Sequence, residues 1–233
     1  MRQITTTTKA EAAYAELRAR ILDGSMAPGT SLEQSTIAQD YGISTTPVRE
    51  ALRRLESEQL VVVKAHHGPR VAELSTSELH NLFAVRLELD PLAASLAAVE
   101  ATPAQVGAIR GIIERRVDTA AEQVAANRQF HRSIYQACAN PVLVQVLDSL
   151  WNRCDRYRFL LLASEHSLDL DEVEHHKMVE AMESRNAEQM RGLVAAHVQR
   201  SYANLAELAE EYTSAQARRT AGDRISAATA PAR

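Results

Sequence analysis

Cysteine is scarce in this chain of 233 residues, which holds only Cys138 and Cys154. Two thiols at that separation make neither a disulfide framework nor a metal-ligand motif. They read as buried free thiols of a reducing cytoplasm. Aromatic residues are 4% of the chain and glycines number 8, while Ala, Leu, Glu and Arg are plentiful. Without the β-branched runs and Gly-rich turns that sheets need, the composition favours a mainly helical protein. No apolar run approaches the roughly 20 residues needed to span a bilayer. The opening MRQITTTTKAEA lacks the apolar segment of a signal peptide, so the expectation is a cytoplasmic chain without a membrane partner. An excess of positive charge is also missing, since the formal net charge is −4. Residues 1–75 are neutral, with nine Lys/Arg against nine Asp/Glu, and the deficit lies entirely beyond them. A neutral module binds DNA if its basic residues share one face, but global charge gives no support.

What is present begins with GISTTPVREALRRLESEQLV, residues 42–61. Val48, Ala51, Leu52, Leu55 and Leu60 recur at the spacing of one helix face. Ser44 suits the N-cap, and Pro47 suits the first turn, where no N–H partner is needed. The opposite face presents Thr45, Thr46, Arg49 and Arg53, with Arg54 at the flank. A short helix that buries one side and offers hydroxyls and guanidinium groups on the other fits a DNA major groove.

Its neighbours support that reading. Tyr14, Leu17 and Ile21 form a stripe from Lys9 to Asp23, stopped by Gly24, and SMAPGTSL is a turn. EQSTIAQDYGIS is a short helix ended by Gly42, which completes a helix-turn-helix arrangement. Val61–Val63 and Arg70–Leu74 are β-compatible around a Gly-Pro turn, a small hairpin or wing. From Ser75 the chain reads as about six helices of an all-α bundle. The expected domains are therefore a flexible 1–8, a winged helix-turn-helix over 9–75, a helical domain over 76–212, and a disordered polar tail over 213–233.

Periodicity sorts the polar residues of the bundle. Asn127 and His131 lie one turn apart on the apolar face of Val124, Ile134, Tyr135 and Cys138. His175 shares a face with Met178, Val179 and Met182, whereas His176 aligns with Glu180 and Glu183. His197 sits within the stripe Met190, Leu193, Val194, Val198, Ser201 and Leu205. Burying several imidazoles is costly unless they are satisfied, and a divalent metal satisfies them together. Individually, such histidines are core residues with a hydrogen-bond partner. Arg86 lies on the stripe Leu79, Leu82, Phe83, Leu89 and Ala93. Two readings stand for it: an ion pair with Glu88 or Asp90, or a guanidinium that clamps a carboxylate ligand.

The segments ILDGSMAPGTSL, STTPVREALRRLE and HHGPRVAELS resemble the winged-helix domain of GntR-superfamily bacterial transcription regulators. RLELDPLAASLAA, NRQFHRSIYQACANPVL, EHHKMVEAM and the late AAHV resemble the FCD effector domain of the FadR subfamily. The resemblance implies a homodimer on a near-palindromic double-stranded operator, a repressor released by a small organic-acid or sugar-acid effector, and no enzymatic activity. It places Thr45, Thr46, Arg49, Arg53, His67 and Gly68 on DNA. A divalent metal (zinc, with nickel or manganese as alternatives) falls on Asn127, His131, His175 and His197, and Arg86 becomes the effector anchor. Two letters depart from the family pattern. Thr45 stands where Arg is frequent, and a hydroxyl cannot make the two-pronged bond to guanine. Asn127 stands where Asp is common, which implies weaker metal affinity and a more positive site. The alternatives are a metal-dependent hydrolase of small organic acids, since three histidines on zinc with open positions are also a catalytic arrangement, and a bundle that the metal only braces.

Overall fold

The structure is a computed structural model, which describes residues 8–64, 68–157, 160–161 and 169–229. The elements, in order, are α1 (Lys9–Leu22), α2 (Gln34–Asp40), α3 (Thr45–Ser57), β1 (Val61–Lys64), β2 (Gly68–Val71), α4 (Thr76–Glu100), α5 (Pro103–Ile113), α6 (Ala120–Gln136), α7 (Pro141–Asp155), α8 (Asp169–Glu183) and α9 (Ala187–Thr229). They form two compact units: Met1–Glu73 with Asp148–Leu162, and Leu74–Leu147 with Ala163–Arg233.

In the first unit the stripes anticipated from spacing become one core. Ala13, Leu17 and Ile21 of α1 meet Ile37 and Ala38 of α2 and Val48, Ala51, Leu52 and Leu55 of α3. Ser44 occupies the N-cap of α3 in extended backbone, but its side chain makes no capping hydrogen bond. The hairpin is displaced from the expected register. β2 begins at Gly68, and Val61 pairs with Val71 and Lys64 with Gly68, so Gly68-Pro69 belongs to the strand rather than the turn. The reason lies on the other edge of β2. Gly29 N–H donates to the Val71 carbonyl, Leu32 N–H to Pro69 and Val71 N–H to Thr30, so the segment before α2 fixes where β2 starts. Residues 148–162, expected wholly within the helical domain, also join this unit. Arg18 Nη2 reaches Asp155 Oδ2 at 3.1 Å, and Arg156 Nη1 donates to the Gln59 carbonyl at 3.2 Å.

In the second unit α9 packs along α4, α5 packs on both α6 and α8, and α8 also meets α9. Local sequence sets the helix starts. Ser75 Oγ accepts from Glu78 N–H, and Thr102/Gln105 and Thr119/Glu122 form capping boxes. Ala93, Ala94, Ala97 and Ala98 of α4 are buried; such short side chains let a neighbouring helix approach closely. Among the described residues this unit is all helix, made of α4, α5, α6, α8, α9 and the first part of α7, in line with the expected all-α bundle. The tail does not match: α9 continues past Tyr212 to Thr229. Residues 213–229 hold Ala, Arg and Gln with Gly222 as the one strong breaker, and Pro231 lies beyond. A run that lacks apolar periodicity thus keeps high helix propensity.

Candidate nucleic-acid interface and metal centre

On the first unit, α3 buries Val48, Ala51, Leu52 and Leu55 and leaves Thr45, Thr46, Arg49 and Arg53 exposed. Thr45 and Arg49 line an open groove of about 440 Å³ together with Ser31, Glu33, Gln34, Ser35, Gly68 and Pro69. The N-terminal ends of α2 and α3 and the start of β2 therefore converge on one concave surface. Gln34 Oε1 accepts from Arg49 Nε at 3.4 Å. Gly68 is exposed with φ +68°, a conformation open to glycine at little cost. His67 lies outside the described residues. Arg53 is exposed on the same helix but does not line the groove.

Two basic residues near this surface serve the fold instead. Arg54 lies 3.7 Å over the Tyr14 ring and pairs with Glu11 and Glu58. Arg70, at the wing, donates to the Gly29 carbonyl at 3.0 Å. Gln34, Ser31 and Ser35 were missed from sequence, because only the return of β2 beside residues 29–32 brings them to the groove.

On the second unit, His131 of α6, His175 of α8 and His197 of α9 are buried, and one ligand atom from each ring falls within 4.8 Å of the others. The Nε2 atoms of His131 and His197 are 3.0 Å apart. Phe130 closes one side, its ring centroid 4.2 Å from that of His175. His175 is held well below its usual range, at about 3, first by burial and then by the neighbouring His197. Burial and the two other rings push His131 down as well. His131 and His175 are thereby kept as neutral imidazoles, the form that ligates metal. Within the cluster His175 Nε2 is buried without a hydrogen-bond partner among the described residues, and so is Asn127 Oδ1, one turn before His131 on α6. Three buried imidazoles, one with an orphaned ring nitrogen, suit a borderline divalent cation such as zinc.

Arg86 is buried on α4, and the ion-pair reading describes its setting. Its Nε and Nη2 donate to Asp90 Oδ2 at 3.2 and 2.7 Å, and Tyr135 Oη donates to the same oxygen at 3.0 Å. Asp90 Oδ1 is buried and has no hydrogen-bond partner among the described residues. Asp90 and Tyr135 were not foreseen as partners of one another, since 45 residues separate them. Glu174, next to His175, accepts from His197 Nδ1 at 2.9 Å and pairs with Arg200. That double engagement leaves it poorly placed as a general base for hydrolysis.

Two family models match the chain, one over each region. Residues 9–71 match the model for bacterial regulatory proteins of the gntR family, and residues 81–200 match the FCD domain. The HTH-type transcriptional regulator McbR of Escherichia coli is 27% identical over 205 residues, covering 84% of this chain and 91% of McbR. The HTH-type transcriptional repressor GlaR of the same organism is 27% identical over 198 residues, covering 79% and 90%. The solved structure of E. coli McbR/YncC superposes with a TM-score of 0.74 at 26% identity, covering 89% of this chain and all of that one. The chain belongs to the gntR family of bacterial regulatory proteins: it is a DNA-binding transcriptional regulator with an FCD domain, and not an enzyme.

Proposed function

We propose that this regulator is a FadR-type homodimeric repressor whose FCD domain holds a divalent metal and a small carboxylate effector. Asn127, His131, His175 and His197 hold the metal, which supplies a positive centre for a carboxylate. Arg86 supplies the second cationic contact by exchanging Asp90 for the effector. In the first unit Arg49 and Arg53 contact the operator, with Thr45 and Thr46 at the start of α3 and His67-Gly68 on the wing. Each protomer presents one such surface, so a two-fold dimer reads a near-palindromic site. The observation that carries the proposal is the approach of three buried imidazoles, His131, His175 and His197, with His175 Nε2 and, one turn before His131, Asn127 Oδ1 buried without hydrogen-bond partners among the described residues. Leaving such groups unsatisfied costs about 1–3 kcal/mol each, which a ligand recovers.

A thermal-shift screen of organic and sugar acids, with and without zinc, tests the reading. An acid that stabilises the zinc-loaded protein and loses that effect in Arg86→Ala supports it. A stabilising acid that acts equally on Arg86→Ala removes Arg86 from the role. Zinc-dependent stabilisation with no change in operator binding on adding any hit acid would favour a metal that only braces the bundle.

A further inference from the structure

Glu174 adjoins the histidine cluster but faces away from its centre. It precedes His175 on α8, and adjacent helical residues point about 100° apart. His175 therefore enters the cluster while Glu174 meets the outer edge of His197, with Oε2 2.9 Å from Nδ1. Arg200, three residues beyond His197 on α9, places Nη2 2.5 Å from the same oxygen and Nη1 against Oε1. Helix α8 thus supplies one ring to the cluster and, one residue earlier, the carboxylate that meets a ring from α9.

The protonation pattern follows from donor chemistry. Glu174 meets the Arg200 guanidinium through both of its oxygens, the geometry of a carboxylate ion pair. An ionised carboxylate only accepts. His197 Nδ1 must then carry the proton, since two lone pairs 2.9 Å apart would repel. Arg200 Nη2 also lies 3.2 Å from Nδ1, but the carboxylate oxygen is nearer, at 2.9 Å. A ring that gives Nδ1–H to Glu174 leaves Nε2, 3.0 Å from His131 Nε2, as its ligating nitrogen.

We propose that Glu174 is a positioning residue for metal binding: with Arg200 behind it, it fixes the tautomer and ring orientation of His197 and raises the basicity of Nε2. The inference rests on the metal reading of the cluster. It also gives the carboxylate a place: with neutral Asn127 among the ligands, the negative charge stands one bond network further out. Outer-shell partners of this kind are typically worth about 10–100-fold in metal affinity.

The test uses the full chain, zinc and a competing chromophoric chelator. Glu174→Ala should bind zinc about 10–100-fold more weakly than the unaltered protein. Glu174→Gln, whose amide oxygen can still accept from Nδ1–H, should recover part of that loss. Equal zinc affinity in Glu174→Ala and the unaltered protein would overturn the inference while leaving the metal reading intact. No zinc binding by the unaltered protein would overturn the metal reading itself, and the inference with it. Ring-nitrogen NMR of the unaltered zinc protein needs no variant: His197 should be protonated at Nδ1 and ligated through Nε2. Ligation through Nδ1 would refute the proposed role.

Discussion

His131 and His197 come from α6 and α9, yet their Nε2 atoms stand 3.0 Å apart within the second unit. Since His197 carries its proton on Nδ1 towards Glu174, His131 donates and His197 accepts across that gap. Burial meanwhile pushes His131 and His175 well down, so both enter the metal-free cluster without charge.

That arrangement makes the metal-free protein sensitive to acid. The folded pKa of His175 lies at about 3, below the ordinary 6.5, so the unfolded chain binds its proton first. Stability then rises with pH wherever the unfolded state holds more protons. It should be intact above about pH 6.5 and fall as pH drops from there towards 3, by up to about 1.4 kcal/mol per pH unit for this one ring. Urea unfolding of chelator-treated protein at pH 7.5 and 5.5 measures the difference. His175→Gln should flatten the dependence, and an unchanged slope would assign it to other groups.

Asp90 predicts a separate stability effect. Its carboxylate is fully buried against Arg86 and Tyr135. Asp90→Ala should cost about 3–5 kcal/mol, because a buried guanidinium loses its carboxylate. Replacing both partners, as Arg86→Met with Asp90→Leu, should cost much less. Denaturant midpoints compare them; a double variant as unstable as Asp90→Ala would contradict this account.

Arg49 and Arg54 sit on the same helix and should separate cleanly. Arg49→Ala should weaken operator binding by about 1–3 kcal/mol with little change in folding. Arg54, stacked on Tyr14 and paired with Glu11 and Glu58, should cost about 1 kcal/mol or less of stability on truncation, since such exposed contacts are weak. Its loss should leave DNA affinity unchanged. Fluorescence anisotropy on one operator duplex reads both, and a larger DNA defect in Arg54→Ala would reverse the assignment.

What could be read from sequence was what repeats along one helix. Val48, Ala51, Leu52 and Leu55 declare a buried face by spacing alone, and the same arithmetic put Asn127, His131, His175 and His197 on inward faces of three helices. Contacts made across elements left no such trace. Asp155 meets Arg18 from 137 positions away, so residues 148–162 could not be assigned to the first unit. Glu174 turns from the ion side of its own helix, and that His197 stands on its other side depends on how α8 packs on α9. The helical tail carries no apolar stripe, and propensity rather than periodicity marks it.

The most direct test of the histidine cluster is an equilibrium zinc titration of chelator-treated protein, followed by thermal unfolding, for the unaltered chain and His131→Ala. One ion should bind per chain, with a stabilisation that grows with free zinc, about 2.7 kcal/mol at 100 times the dissociation constant, and both should be lost in His131→Ala. Absence of zinc binding by the unaltered chain, or the same affinity and stabilisation in His131→Ala, would contradict the metal reading of the cluster.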